Sequence, residues 1–198
     1  QIAHLFMTEI VSRCEVGIDL HTGSDHRTNL PQIRTDLDNP ETRHLAEIFG
    51  APVMLHSKIR DGSLRGAASE TGAKVLLYEG GEALRFDDDA ITMGVGGILR
   101  VLAELSIIRD DNIPPAGDTV ECRNSSWLRA RRSGIAHLET SPGSRVSRMQ
   151  LIGVIHDSKG SRLSRIISHK EGIVIGQIQH PLVNQGDAML HIAEEEHL

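Results

Sequence analysis

Apolar residues at Ile2, Leu5, Phe6, Ile10 and Val11 share one face at helical spacing, which predicts a helix over 1–12. Residues 15–20 then read as a buried strand running into a polar loop from His21 to Pro31. A second helix is expected over 40–49, with Asp38 or Asn39 as cap and Gly50 as stop. Residues 52–56 form a short strand, and 63–70 a helix closed by Gly72. Residues 74–78 form an apolar strand that ends in Glu79-Gly80-Gly81. A long helix over 87–108 opens on Asp87, Asp88 and Asp89, whose charges suit the positive end of its dipole. Helices alternating with strands in this order predict an α/β fold with a mostly parallel sheet flanked by helices.

The pattern changes at Pro114-Pro115-Ala116-Gly117, which predicts a boundary between an α/β domain over 1–117 and a small all-β domain over 118–198. Beyond it, strand-like runs at 119–122, 135–138, 151–156, 163–168, 173–179 and 188–193 are separated by turn-forming clusters, as in a small barrel or sandwich. The acidic end of the chain reads as a solvated tail. The chain opens with Gln1 directly inside an amphipathic pattern, with no secretory signal, and sequence upstream is expected.

Composition narrows the function. The net charge is −6, against a nucleic-acid binder. Phe6, Phe49, Tyr78, Phe86 and Trp127 are the only aromatics, too few for a base-stacking platform. No apolar run reaches the length of about 18 residues that a membrane span needs. Cys14 and Cys122 form neither a metal motif nor a disulfide framework and read as reduced thiols of a cytoplasmic protein.

Three places carry candidate chemistry. Asp19 and His21 share a strand face at the strand's carboxyl end, where ligands bind in open α/β sheets. A neutral imidazole there suits zinc, with the carboxylate orienting the ring, although a lone strand-end histidine is also common as a structural residue. Glu79 emerges at the end of the 74–78 strand, and in a parallel sheet it reaches the same rim as His21. There it is a candidate proton acceptor, or simply a solvated carboxylate. Arg27, with Arg34 further along, offers a fork for a substrate carboxylate or is an ordinary solvated loop residue. The remaining histidines, His191 among them, show no metal-binding spacing and read as background. His26 is a poor partner for His21, and Arg129, Arg131 and Arg132 after Trp127 either border a cleft or form a solvated basic turn.

Ile18-Asp19-Leu20-His21-Thr22-Gly23-Ser24, followed by Arg27, Pro31 and Arg34, resembles the DLHTG segment of the succinylglutamate desuccinylase/aspartoacylase family of zinc carboxypeptidase-like hydrolases. The opening helix, Gly62-Ser63-Leu64-Arg65, Glu79-Gly80-Gly81 and the β-rich tail recur in family order. The resemblance implies the C-terminal part of a zinc carboxypeptidase-like core followed by a β domain. It implies His21 as a zinc ligand, Glu79 as the catalytic carboxylate and Arg27 as a substrate-binding residue. It also implies one zinc ion per full-length chain, with two further ligands, in a G-x-H-G-x-E-like segment, and an Asn-Arg substrate segment upstream of Gln1. His26 departs from the small residue, often Gly, common at its position. The expected activity is hydrolysis of an amide in a small N-acylated amino acid or related compound, with the 198 residues inactive alone. The expected partner is that substrate, with neither nucleic acid nor membrane, and a homo-oligomer is left open. The alternatives are a non-catalytic carrier module with a biotinyl/lipoyl-like β domain, in which Lys170 is the modified lysine, and a catalytically dead relative.

Overall fold

The computed structural model describes residues 1–24, 26–58 and 63–195. Gly62 of the family-like segment and the last three residues of the acidic tail lie outside the described residues. The first half runs α1 (Ile2–Glu9), β1 (Val16–Gly23), β2 (Arg27–Thr35), α2 (Pro40–Phe49), β3 (Val53–His56), α3 (Leu64–Glu70), β4 (Lys74–Glu82) and α4 (Asp88–Glu104). The starts of α2, α3 and α4 follow from their sequence. Asn39, one of the two expected caps, accepts from the backbone N–H groups of Glu41 and Thr42 with Pro40 in the first turn. Ser63 and Asp87 do the same for Gly66 and Ala90. Gly50 ends α2 at φ +72°, a left-handed conformation that glycine adopts without strain. The opening helix is shorter than its pattern suggests, and a 3-10 turn at Val11–Arg13 completes it.

From residue 118 onward the described residues contain only strands: β5 (Val120–Arg129), β6 (Gly134–Leu138), β7 (Arg145–Val146), β8 (Leu151–His156), β9 (Arg162–Ile167), β10 (Gly172–Ile178), β11 (Leu182–Val183) and β12 (Ala188–Glu195). They are shared between two sheets. An eight-stranded sheet has the order β1-β4-β2-β3-β5-β12-β10-β7, with β10 also pairing β2, and a four-stranded sheet has the order β11-β6-β8-β9. The large sheet therefore draws strands from both sides of residue 117.

The fold is α/β, but the large sheet is mixed rather than mostly parallel. β1 and β4 are parallel, as are β2–β3 and β3–β5, whereas β2 runs antiparallel to β4 and to β10. The cause is a strand that the sequence hides. Most of the expected polar loop from His21 to Pro31 belongs to β1 and β2. Polar side chains and a proline argue locally against a strand, but β2 pairs with three strands and takes Pro31 at a register irregularity between Asn29 and Gln32, a place where proline is tolerated.

Four apolar clusters hold the layers. α2 and α4 pack on one face of the large sheet through Phe49, Leu45 and Val101 against Ile33, Leu76 and Tyr78. α3 covers the other face through Ala68 against Val75 of β4. Val53, Leu55, Cys122 and Ile175 join strands of the two halves, and Ile152, Ile155, Met189 and Leu190 fill the space between the two sheets. The α2–α4 contact is tight: a Cβ on Gly97 would lie 2.4 Å from the ring of Phe49, which is 0% exposed. Helix propensity alone would make Gly97→Ala stabilising by about 1 kcal/mol. With Phe49 unable to withdraw, the substitution is expected to destabilise by about 1–3 kcal/mol, read as a lower urea midpoint.

Candidate active site

β1 and β4 run side by side, and His21 is the register partner of Glu79 near their carboxyl ends. Register partners on parallel strands project to the same face. The two residues expected to share a rim are therefore neighbours in the sheet. The alternation of β1 brings Asp19 Oδ2 to 3.1 Å from His21 Nε2, so the carboxylate is placed to orient the ring. His21 is half exposed at the sheet edge. An open groove of 390 Å³ between this rim and α4 reaches His21, Glu82 and Arg85 but not Glu79, which alternates to the face opposite Tyr78.

Glu79 is more enclosed, with its side chain 19% exposed, and β2 supplies its partners. Asn29 Nδ2 donates to Glu79 Oε2 at 2.7 Å, and Arg34 Nη2 stands 3.5 Å from the same oxygen. In a regular strand, residues 29 and 34 would point to opposite faces. The irregularity between Asn29 and Gln32 shifts the phase by one and turns both toward one carboxylate.

Arg27 lies elsewhere in the site. Its guanidinium carbon is 5.1 Å from the centre of the Trp127 ring on β5, a cation–π contact, and Nη1 is 3.4 Å from Ser24 Oγ. Trp127 also stacks on His191 of β12, centroids 4.3 Å apart and 12° from parallel. His191 Nδ1 is 3.4 Å from Arg34 Nη2, and its Nε2 is 2.9 Å from Ser125 Oγ. A polar chain thus runs from Glu79 through Arg34 to His191. Reading the sequence alone missed Asn29, Trp127 and His191 as site residues and left Arg34 as a loop arginine. Only the DLHTG-like segment and the strand-end glutamate carried a local signal.

His26 adopts φ +57°, in the region that favours glycine, which accounts physically for the small residue common there. Its ring packs against His180 at 5.4 Å. Among the described residues, the cluster able to hold a metal through three side chains is Asp36, Asp38 and His56, at the opposite end of β2 from Asn29. Its groups are engaged within the fold: His56 Nδ1 accepts from the Leu37 N–H at 3.2 Å, and Arg123 bonds Asp38 and holds its carboxyl below the usual range. Lys170, the residue a carrier reading would modify, is ion-paired with Glu194 at 2.9 Å. No helix of the described residues is long and apolar enough to cross a membrane.

Residues 1–105 match the model of the succinylglutamate desuccinylase/aspartoacylase catalytic domain, and the chain belongs to that family. No curated protein matches the chain. Similar folds occur in a succinylglutamate desuccinylase/aspartoacylase from Rhodobacter sphaeroides, with a TM-score of 0.83, 22% identity, and coverage of 100% of this chain and 63% of that one. The apo ectoine utilization protein EutE (DoeB) from Ruegeria pomeroyi has a TM-score of 0.86 at 17% identity, covering 98% of this chain and 64% of that one. An aspartoacylase family protein from Mesorhizobium loti has a TM-score of 0.77 at 17% identity, covering 99% and 68%. The chain thus spans less than two thirds of the length of the first two.

Burial, followed by the charges of Arg34 and Arg27, lowers the pKa of His191 from 6.5 to about 3. The ring is neutral in the fold at neutral pH. Below pH 6.5 the unfolded chain binds a proton at this position that the folded chain refuses, so stability falls with falling pH until pH nears 3. The expected contribution is about 1.4 kcal/mol per pH unit in that window. Urea titrations from pH 7 to pH 4 should show it as a slope about one proton smaller in His191→Asn.

Proposed function

We propose that this chain carries the catalytic carboxylate and one zinc ligand of a deacylase that hydrolyses the amide of a small N-acylated amino acid or related compound. The observation that supports the reading most is the register pairing of His21 with Glu79 on adjacent parallel strands. His21, with Asp19 behind it, has the donor chemistry of one zinc ligand. A catalytic zinc site takes about three protein ligands, so the two others are assigned to the part of the family fold that these 198 residues do not span. Zinc, when bound, supplies Lewis acidity that polarises a carbonyl and lowers the pKa of a water.

Glu79 accepts a proton from the attacking water at a carboxylate oxygen. The water oxygen bonds to the amide carbon, the C–N bond breaks, and Glu79 returns the proton to the leaving nitrogen. The products are a carboxylic acid and an amine. Asn29 and Arg34 fix the carboxylate through Oε2, which leaves Oε1 for the proton. Arg27 is assigned to hold a substrate carboxylate, backed by Trp127.

In the zinc-loaded protein, Glu79→Gln is expected to keep its zinc and lose about 10²–10⁴-fold in kcat on an N-acyl amino acid. Unchanged kcat would remove Glu79 from the reaction. Separately, His21→Ala is expected to lower the zinc content measured by atomic absorption. Tight one-to-one zinc binding by these 198 residues alone would show that the ligand count is wrong.

A further inference from the structure

We propose that His191 is a positioning residue, a neutral imidazole supplied by β12 that holds the Arg34 guanidinium against Glu79. The inference rests on the reading of Glu79 as the proton-transferring carboxylate, and it adds a dependence of that carboxylate on a strand near the chain's end.

Four strands meet in one row across the sheet. Asn29 pairs with Gly176 on β10, Gly176 with His191 on β12, and His191 with Trp127 on β5. Gly176 leaves the space this row needs: a Cβ there would lie 2.8 Å from Asn29 Oδ1 and 3.4 Å from His191 Cβ. Across the gap, one nitrogen of Arg34, Nη2, stands 3.5 Å from Glu79 Oε2 and 3.4 Å from His191 Nδ1. Among the described residues Arg34 Nε is buried without a hydrogen-bond partner, so none of them fixes the guanidinium there. The side chain is thus held at its tip, between a carboxylate and an imidazole.

Holding Arg34 requires His191 in one protonation state. Nδ1 must accept, because Arg34 only donates, which places the ring proton on Nε2 facing Ser125 Oγ. The ring is 5% exposed and stacked on Trp127, so its orientation is set by packing. The charged groups near it are Arg34 and Arg27, both cations that oppose a second proton on the ring, with Glu79 on the far side of Arg34. Gly176 contributes no side chain, and Ser125 and Trp127 contribute no charge. A neutral Nδ1 acceptor beside a partly buried guanidinium is therefore the stable arrangement over the ordinary pH range.

The test compares His191→Leu, which removes the acceptor, with His191→Asn, which restores one near the position of Nδ1, in the zinc-loaded active protein. His191→Leu is expected to lower kcat about 10–100-fold with little change in KM, and His191→Asn to recover most of the loss. Equal losses in the two variants, or a rise in KM at unchanged kcat, would overturn the proposal. Should His191→Leu fail to fold, ¹⁵N–¹H NMR of the wild-type imidazole decides the tautomer. The expected signal is a neutral ring protonated at Nε2 that persists to about pH 4, as a pKa near 3 requires. A ring protonated at Nδ1, or a cationic ring at pH 6, would overturn the proposal whatever the activity. Absence of hydrolysis in the wild type, with the neutral Nε2–H ring observed, would instead overturn the deacylase reading and with it the catalytic purpose of the contact.

Discussion

A carboxylate with four-fifths of its side chain withdrawn from water must be met by donors and a cation, because a bare buried charge is strongly unfavourable. Glu79 meets that requirement through Asn29 and Arg34, both from β2. The arrangement works only because β2 is irregular. A regular strand would turn one of the two away, and the phase shift beside Pro31 turns both toward the same oxygen. A residue that breaks strands elsewhere is here part of the device that surrounds a carboxylate.

The same requirement draws the later strands into the site. β2 lies between β4 on one side and β3 and β10 on the other, so its polar face is completed by residues that follow it by well over a hundred positions. His191 and Trp127 stack beside Arg34 and Arg27, and Val53, Leu55, Cys122 and Ile175 join the strands next to them. The apolar joint and the polar row share this pairing, since Leu55 is the register partner of Arg34 on β2 and of Cys122 on β5. Loosening one disturbs the other.

Much of the first half was legible in the sequence because its signals are local. The cap at Asn39, the stop at Gly50 and the apolar strand before Glu79 each depend on residues within a few positions. The DLHTG-like segment marked His21 and Asp19, whose contact follows from the two-residue alternation of a strand. The resemblance to a deacylase family was carried by that segment, and the match over residues 1–105 establishes the family. β2 was not legible. Asn29, Pro31 and Arg34 look like a loop, and only hydrogen bonds to three other strands make them a strand. His191 carried no signal either, because nothing adjacent to it in the chain distinguishes it from the other histidines.

By itself, the sequence determined the helices and strands of the first half apart from β2, the strand-rich character of the second, and two residues, His21 and Glu79, with the right chemistry for one site. Backbone propensity, capping and alternation act over a few residues, and those are written locally. The tertiary structure alone decided that the sheet is mixed, that Asn29 and Arg34 converge on one carboxylate, and that a neutral imidazole from β12 stands beside them. Those outcomes depend on pairing between distant strands and on burial, which raises the cost of any unmatched charge, and neither is a property of a short stretch of chain.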